Sequence, residues 1–316
     1  MELDSTGLSA ARFASGALPR VSVIIPTFGR PERVCSAIDS ALAQTYAEVE
    51  VVVVDDNPRG SANQAATELA LRPYIDSLQI RYITRTSNGG GSAARNTGTD
   101  AVTGDLITFL DDDDIYMPDK VAKQVQHMLT SELDISLCHM LIAENGTVVD
   151  SPLCVARGTN LADFILDGNA FTPMIMVRRE ALTKAGGFPD TPRFQDHLVM
   201  IKLLEKGAVT GILDEALFTH NSHSDARISL SARSLEGYKI KHACELRNKR
   251  CLSEKQLTCV LFRQAIIGMK IARAEKGLFA GVSIVPAALS KVRAPKDLIA
   301  LTKAIFRMVV TPTRHF

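Results

Sequence analysis

Three short apolar runs mark the first third of this 316-residue chain, and each stops on residues a strand interior does not accept. Val21-Ser-Val-Ile-Ile25 ends on Pro26-Thr27. Val49 to Val54 ends on Asp55-Asp56-Asn57-Pro58, and Leu106 to Leu110 runs into Asp111-Asp112-Asp113-Asp114. Such β-branched runs read as strands covered on both faces, the condition of a parallel sheet. Helical stretches lie between them. One runs from Pro31 to about Gln44, with Val34, Ile38 and Leu42 four apart; another runs from about Ala62 to Leu71. A strand is expected near Gln79–Thr84, and Ser92 stands where it caps a helix through about Thr99. Strand and helix in alternation predict an α/β, mostly parallel sheet flanked by helices, with right-handed crossovers. In such sheets ligands bind beyond the carboxyl ends of the strands, so the three polar strand ends are expected to share one site.

The second half is less regular. A strand is expected at Ile135–Ile142, a turn at Glu144-Asn-Gly146 and a strand near Pro173–Val177. The loop Gly186-Gly-Phe-Pro-Asp190 leads to a helix from about Gln195 to Lys206, and Leu213 to His223 is strand-like at first. Residues 1–19 read as a mobile leader, 20–238 as the body, and 239–316 as a helical extension broken around Gly277–Pro286 and by Pro295.

Charge follows the same division. The 36 Lys and Arg against 35 Asp and Glu hide a split: from Lys239 onward there are 16 basic and 4 acidic residues, leaving 20 basic and 31 acidic before it. An acidic body with a basic extension does not read as a nucleic-acid binder; it points to an anionic surface as a partner. Drawn as a helix, Glu254–Gly277 gathers Lys255, Arg263, Lys270, Arg273 and Lys276 on one side, with Phe262, Ile266 and Met269 interrupting. Lys296, Lys303 and Arg307 form another stripe. Two readings stand: a basic amphipathic extension on anionic lipid, or a helical cap on the acidic body. The six cysteines form no CxxC pair, the start Met1–Ser15 carries no cleavable signal, and Gly277–Ser290 is too short to span a bilayer. A cytoplasmic protein, peripheral at the inner face of the membrane, is therefore expected.

The acidic run Asp111–Asp114 carries the sharpest chemistry. Four adjacent carboxylates repel one another, and an oxygen-seeking divalent cation offsets that repulsion. If the run is extended, Asp111 and Asp113 project to one side. Read without its context, it is equally a solvated turn. Asp55-Asp56 offers hydrogen-bond acceptors to a base or ribose, or forms an ordinary turn. Asn88-Gly-Gly-Gly-Ser-Ala-Ala-Arg-Asn96 is neither a dinucleotide fingerprint nor a P-loop; its glycines permit close approach of a ligand, and Arg95 suits a phosphate or the acidic run. Asp196, at a helix start, is a general base or a plain cap. His220 and His223 are metal or diphosphate contacts, or surface residues.

Together these segments resemble the family 2 glycosyltransferases of the GT-A fold. The resemblance is carried by Val21–Arg30, by Val51–Asn57, by Asn88 with Ala94-Arg95-Asn96, by Phe109–Asp114, which is similar to the family's DxD region, and by Gly186-Gly-Phe with Gln195-Asp196. It covers about residues 20–230. The resemblance implies a nucleotide-sugar half at about 20–115 and an acceptor half at about 116–238. It implies inverting transfer from a nucleotide sugar, most simply a UDP-sugar, with Mg²⁺ or Mn²⁺, to a glycan or lipid-linked acceptor in bacterial surface polysaccharide synthesis. The donor pocket it implies comprises Pro26, Thr27, Phe28, Arg30, Asp55, Asp56, Asn88, Gly90, Arg95, Asp111 and Asp112. The metal set it implies is Asp111, Asp113 and His223, with His223 preferred to His220 because Arg227-Ile-Ser229 follows, and Asp196 is the base. Gln195 stands where an acidic residue is usual, which leaves Asp196 alone and keeps open an inactive nucleotide-sugar or glycan-binding module. No QxxRW motif follows, so a processive synthase is not expected. A nucleotidyltransferase is disfavoured because no glycine-rich basic loop follows Val21–Ile25.

Overall fold

The computed structural model describes residues 18–144, 147–222 and 234–310. Most of the leader, the Asn145-Gly146 turn and His223 lie outside the described residues. In chain order the elements begin with β1 (Val21–Thr27), α1 (Val34–Leu42), β2 (Val49–Asp55), α2 (Ala62–Asp76), β3 (Arg81–Thr84) and α3 (Gly90–Ala101). Next come β4 (Leu106–Phe109), β5 (Ile115–Tyr116), α4 (Lys120–Thr130), β6 (Ile135–Glu144), β7 (Thr147–Cys154), α5 (Leu161–Asp167) and β8 (Ile175–Arg178). The remainder is α6 (Arg179–Lys184), α7 (Gln195–Glu205), β9 (Thr210–Ser222), α8 (Ser234–Arg247), α9 (Glu254–Lys276), α10 (Leu278–Val282), α11 (Val285–Leu289) and α12 (Pro295–Val310). The described residues form two units. One holds 18–160, 168–190 and 195–222; the other holds 161–167, 191–194 and 234–310.

The first unit is built on one sheet in the order β3-β2-β1-β4-β8-β6-β9-β5, with β7 beside β6. Strands β3, β2, β1 and β4 run parallel, as the apolar runs require. Beyond β4 the sheet is mixed: β8 is antiparallel to both β4 and β6, β9 is parallel to β6, and β5 is antiparallel to β9. The parallel arrangement is therefore unbroken only from β3 to β4; beyond it, only β6 and β9 pair in parallel. Val23, Ile24, Ile25, Val52, Val53, Val54, Leu106, Ile107 and Phe109 have no exposed surface, which explains why these strands do not alternate.

Register brings the polar strand ends together. Thr27 lies opposite Asp55, and Asp55 opposite Thr84. Helix α3 rests directly on this sheet at Gly98, where an added Cβ would sit 2.5 Å from Ile24 Cγ2 and 3.2 Å from Val54 Cγ2. Two local expectations change. Helix α2 runs through Pro73 to Asp76, the proline falling in the last turn. Ser92 does not cap α3 but lies inside it, because Gly89 and Gly90 open the helix against the carboxylate of Asp56, one residue past β2.

Beneath β4, Lys120 is fully buried with no carboxylate partner among its hydrogen bonds. Its ammonium donates to Thr108 Oγ1 at 3.1 Å and to Gln124 Oε1 at 2.6 Å, and lies 4.1 Å from the Tyr116 ring centroid. Desolvation lowers its pKa to about 8. A lowered folded value means stability that is present above the unfolded value, near 10.5, and lost as pH falls through about 8. We expect the urea midpoint to rise between pH 7 and 9.5, a span of stability on the order of 2 kcal/mol, and Lys120→Met to abolish most of that rise. Equal pH slopes in the two proteins would refute it.

The second unit is helical. Helix α9 is its centre: Val260, Gln264, Gly268, Met269, Ile271, Ala272 and Arg273 are buried, and Met269 packs with Ala288, Leu301 and Met308. Two cations of the expected basic stripe therefore turn inward. Arg263 donates to the carbonyls of Ile165 and Leu166 in α5, and Arg273 is buried. Cations at the end of α5 satisfy carbonyls that the helix leaves open. Among the described residues no helix is long and apolar enough to cross a membrane.

Candidate active site

The site is assembled at the carboxyl ends of β1, β2 and β4. Asp55 is fully buried and accepts from Asn57 N at 2.8 Å, Asn57 Nδ2 at 2.7 Å and Tyr82 Oη at 2.6 Å. Asp56, one residue later, faces the glycine-rich segment. It accepts from Gly89 N at 3.0 Å, Gly90 N at 2.7 Å and Asn88 Nδ2 at 3.1 Å, and pairs with Arg85. The N-terminus of α3 thus takes its cap from another strand, with the helix dipole favouring the carboxylate. Pro26 and Thr27 close β1; Phe28, beside them, is 49% exposed, and Arg30 lies three residues past the strand.

The run Asp111–Asp114 is a turn rather than an extended segment, closed by Asp114 N donating to Asp111 O at 3.0 Å. Its members still divide into two pairs. The Asp112 and Asp114 side chains are 1% exposed, against 34% for Asp111 and 12% for Asp113. Thr27 Oγ1 donates to Asp112 at 2.8 Å and Arg30 pairs with it at 2.6 Å. Desolvation pushes the Asp112 carboxyl up to about 7, against the opposing pull of Arg30 and with a further push from Asp113. His220 Nδ1 lies 2.9 Å from Asp114 Oδ1, and Asn221 N donates to the same oxygen at 3.1 Å. Desolvation raises the Asp114 carboxyl, and the bond to Asp114 raises His220. The outer pair meets the two arginines: Asp113 pairs with Arg30 and Asp111 with Arg95.

Asp196 lies in the first turn of α7, half-buried, and accepts from His197 N at 3.0 Å. Desolvation raises its carboxyl; Arg95 lowers it and Asp111 raises it, so the acid senses both. Gln195 ties this helix start to the acidic turn. Its Oε1 accepts from Ser92 Oγ and from Arg95 Nη1, both at 3.1 Å, while Arg95 Nη2 holds Asp111. The loop before it is fixed by Asn96, which accepts from Phe188 N at 2.8 Å and donates to Phe188 O at 2.9 Å. Phe188 meets Phe109 edge-on at 5.0 Å. At Gly187, φ is +62° and an added Cβ would fall 2.6 Å from Asn96 Oδ1, so the glycine is required twice over.

The structure thus gathers Pro26, Thr27, Arg30, Asp111, Asp112, Asp113, Arg95 and Asp196 around one acidic turn, with Asp55, Asp56, Asn88 and Gly90 at the neighbouring strand end. Residues given no role by the sequence alone are Arg85, Asn96, Asn221 and the clamp formed by Gln195. Asn96 and Gln195 had left a signal, the first as part of the segment that carries the family resemblance and the second as a departure from the family's usual residue. Among the described residues no three His, Cys, Asp or Glu side chains converge as a metal cage. A hard cation bound through one or two carboxylates plus phosphate oxygens needs no such cage. The residues fit that mode: Asp111 and Asp113 carry the outer carboxylates of the turn, and behind them Asp114 Oδ2 is buried without a hydrogen-bond partner.

A parallel half-sheet whose strand ends carry an acidic turn, joined to a mixed half-sheet, defines a GT-A glycosyltransferase scaffold. The comparisons agree. The model of glycosyl transferase family 2 matches residues 22–186, more than half of the chain, and the protein belongs to that family. An uncharacterized glycosyltransferase of Haemophilus influenzae is 27% identical over 218 residues, 67% of this chain and 71% of the relative. The Escherichia coli UDP-Glc:alpha-D-GlcNAc-diphosphoundecaprenol beta-1,3-glucosyltransferase WfgD is 31% identical over 129 residues, 41% of this chain and 49% of the relative. Other relatives are much longer, and the chain spans 17% and 15% of two of them. Among solved structures, Staphylococcus aureus TarS 1-349 in complex with UDP-GlcNAc superposes with a TM-score of 0.62 at 18% identity, covering 91% of each chain.

Proposed function

We propose that the protein transfers a sugar, with inversion, from a UDP-sugar to a hydroxyl of a glycan or lipid-linked acceptor, with Asp196 as base. The observation that carries this reading is the chain of contacts Asp196–Gln195–Arg95–Asp111, which sets one raised carboxylate beside the acidic turn. A base with a raised pKa works near neutral pH. The exposed ring of Phe28 suits stacking on a base, with Asp56, Asn88 and Gly90 at the nucleoside edge. Asp111 and Asp113, with His220 or His223, are the groups that would hold Mg²⁺ or Mn²⁺. When bound, that cation supplies neutralisation of the charge on the leaving diphosphate. Arg30 and Arg95 present guanidinium groups to the same oxygens.

In the transfer, the acceptor oxygen forms a bond to the anomeric carbon as the sugar–phosphate bond breaks. The electron pair leaves with the nucleoside diphosphate, and the hydroxyl proton passes to Asp196. Attack from the opposite face inverts the centre in one step. The relatives that name UDP-sugars, one of them acting on a diphospholipid-linked sugar, support this choice of donor and acceptor class.

Thermal-shift measurements with UDP, GDP and dTDP, each with and without Mn²⁺, test the donor. We expect UDP with Mn²⁺ to raise the midpoint most, and UDP-sugars to release UDP in the presence of a lipid-linked saccharide. Tight binding without transfer to any acceptor would leave the inactive binding module as the better reading. No shift with any nucleotide would refute both.

A further inference from the structure

Helix α12 has three faces. Leu301, Ala304 and Met308 are buried against the rest of the helical unit, with Ile305 partly so. At about 100° per residue, the next arc of about 120° carries Leu298, Val309, Thr302, Phe306, Ile299 and Val310. Five of these are large and apolar, and they are 50–64% exposed. Lys303, Lys296 and Arg307 follow along one border of that arc, all exposed. A surface helix ordinarily turns a single apolar face inward and fills the rest with polar residues. Here a second apolar face looks outward, and it is edged by cations rather than by mixed charge.

That combination fits one kind of surface. Apolar side chains five to ten ångströms deep, beside cations at headgroup level, are the pattern of a helix lying in a bilayer interface. The border charge selects anionic lipid. A second protein copy matches the apolar arc but not the one-sided cation row, whose like charges would face each other across a twofold axis. We propose that α12 is an interfacial helix that sets Leu298, Ile299, Phe306, Val309 and Val310 into an anionic lipid surface, with Lys296, Lys303 and Arg307 at the phosphates. The stripe on α9 is the poorer match, since Arg263 and Arg273 are engaged inside the helical unit and only Lys255, Lys270 and Lys276 remain at its surface. The inference does not depend on the donor or acceptor proposed above.

The chain contains no tryptophan, so Phe306→Trp makes a single reporter at the centre of the arc. The full-length variant is titrated with phosphatidylcholine vesicles with and without one quarter phosphatidylglycerol. We expect a blue-shifted emission and protection from acrylamide with the anionic vesicles only. Leu69→Trp, on α2 and 70% exposed in the parent, is expected to show neither. Replacing Lys296, Lys303 and Arg307 together by Ser should weaken vesicle binding roughly a hundredfold, about fivefold per cation. Replacing Leu298 and Val309 by Ser, both exposed and so harmless to folding, should abolish the shift at position 306. Vesicle binding with an unchanged Phe306→Trp spectrum overturns the proposal, as does no binding at all. So does a blue shift that grows with protein concentration alone alongside a dimer in light scattering, which would assign the face to a second copy.

Discussion

Asp196→Asn protein is expected to fold and bind UDP as the parent does while transferring sugar about a thousandfold more slowly, within the range of about 10²–10⁴ typical of a lost general base. The isosteric amide keeps an acceptor for His197 N and leaves the Gln195 clamp to Ser92 and Arg95 untouched. What disappears is the proton acceptor, so kcat falls and the donor KM does not. The pH profile gives a second reading. Asp196 acts when deprotonated, and desolvation holds its carboxyl above the usual carboxylate value. In the parent, activity is expected to rise with pH through that raised pKa, and the residual activity of Asp196→Asn is expected to lack that acid limb. Full activity in the variant would place the base elsewhere.

The largest effect on stability is expected at Asp56. Its buried carboxylate holds two backbone amides at the start of α3, the Asn88 side chain and the Arg85 guanidinium. Asp56→Ala strands these donors and removes the charge that complements the helix dipole. A loss of about 3–5 kcal/mol is expected, lowering the melting temperature by roughly 10 °C. Asp56→Asn should recover little, because its amide nitrogen meets donors. Since α3 also presents Arg95 and Asn96, nucleotide affinity is expected to fall with stability, an effect visible by calorimetry at temperatures where the variant remains folded. A change of under 1 kcal/mol would mean that α3 holds its start without this cap.

The elements that were legible in the sequence share a physical trait: their signal is local. Strands β1, β2 and β4 are covered on both faces, so burial demanded unbroken apolar runs, and the polar stops marked where the sheet ends. The acidic run and Asp196 stood out because charged groups in those positions need a reason, although the run folds as a turn rather than an extended segment. Strand β9 and the antiparallel placing of β8 were harder, since their pairing is set by distant partners and not by their own pattern. Helix α9 misled for the opposite reason. Its basic stripe looks solvent-facing, yet Arg263 reaches the carbonyls of α5 and Arg273 is buried. Amphipathicity reports what a helix contains, not what packs against it.

By itself, then, the amino-acid order determined an α/β body with polar groups gathered at the ends of three parallel strands, because two-sided burial and strand-end polarity are written residue by residue. Only the tertiary structure decided how that chemistry is held. Asp56 also holds the start of α3. Arg30 and Arg95 divide the acidic turn between them, and Gln195 joins the turn to Asp196 across a hundred residues of chain. Such pairings depend on distances between segments remote in sequence, and charge balance in a buried cluster is a property of the assembled neighbours rather than of any one stretch.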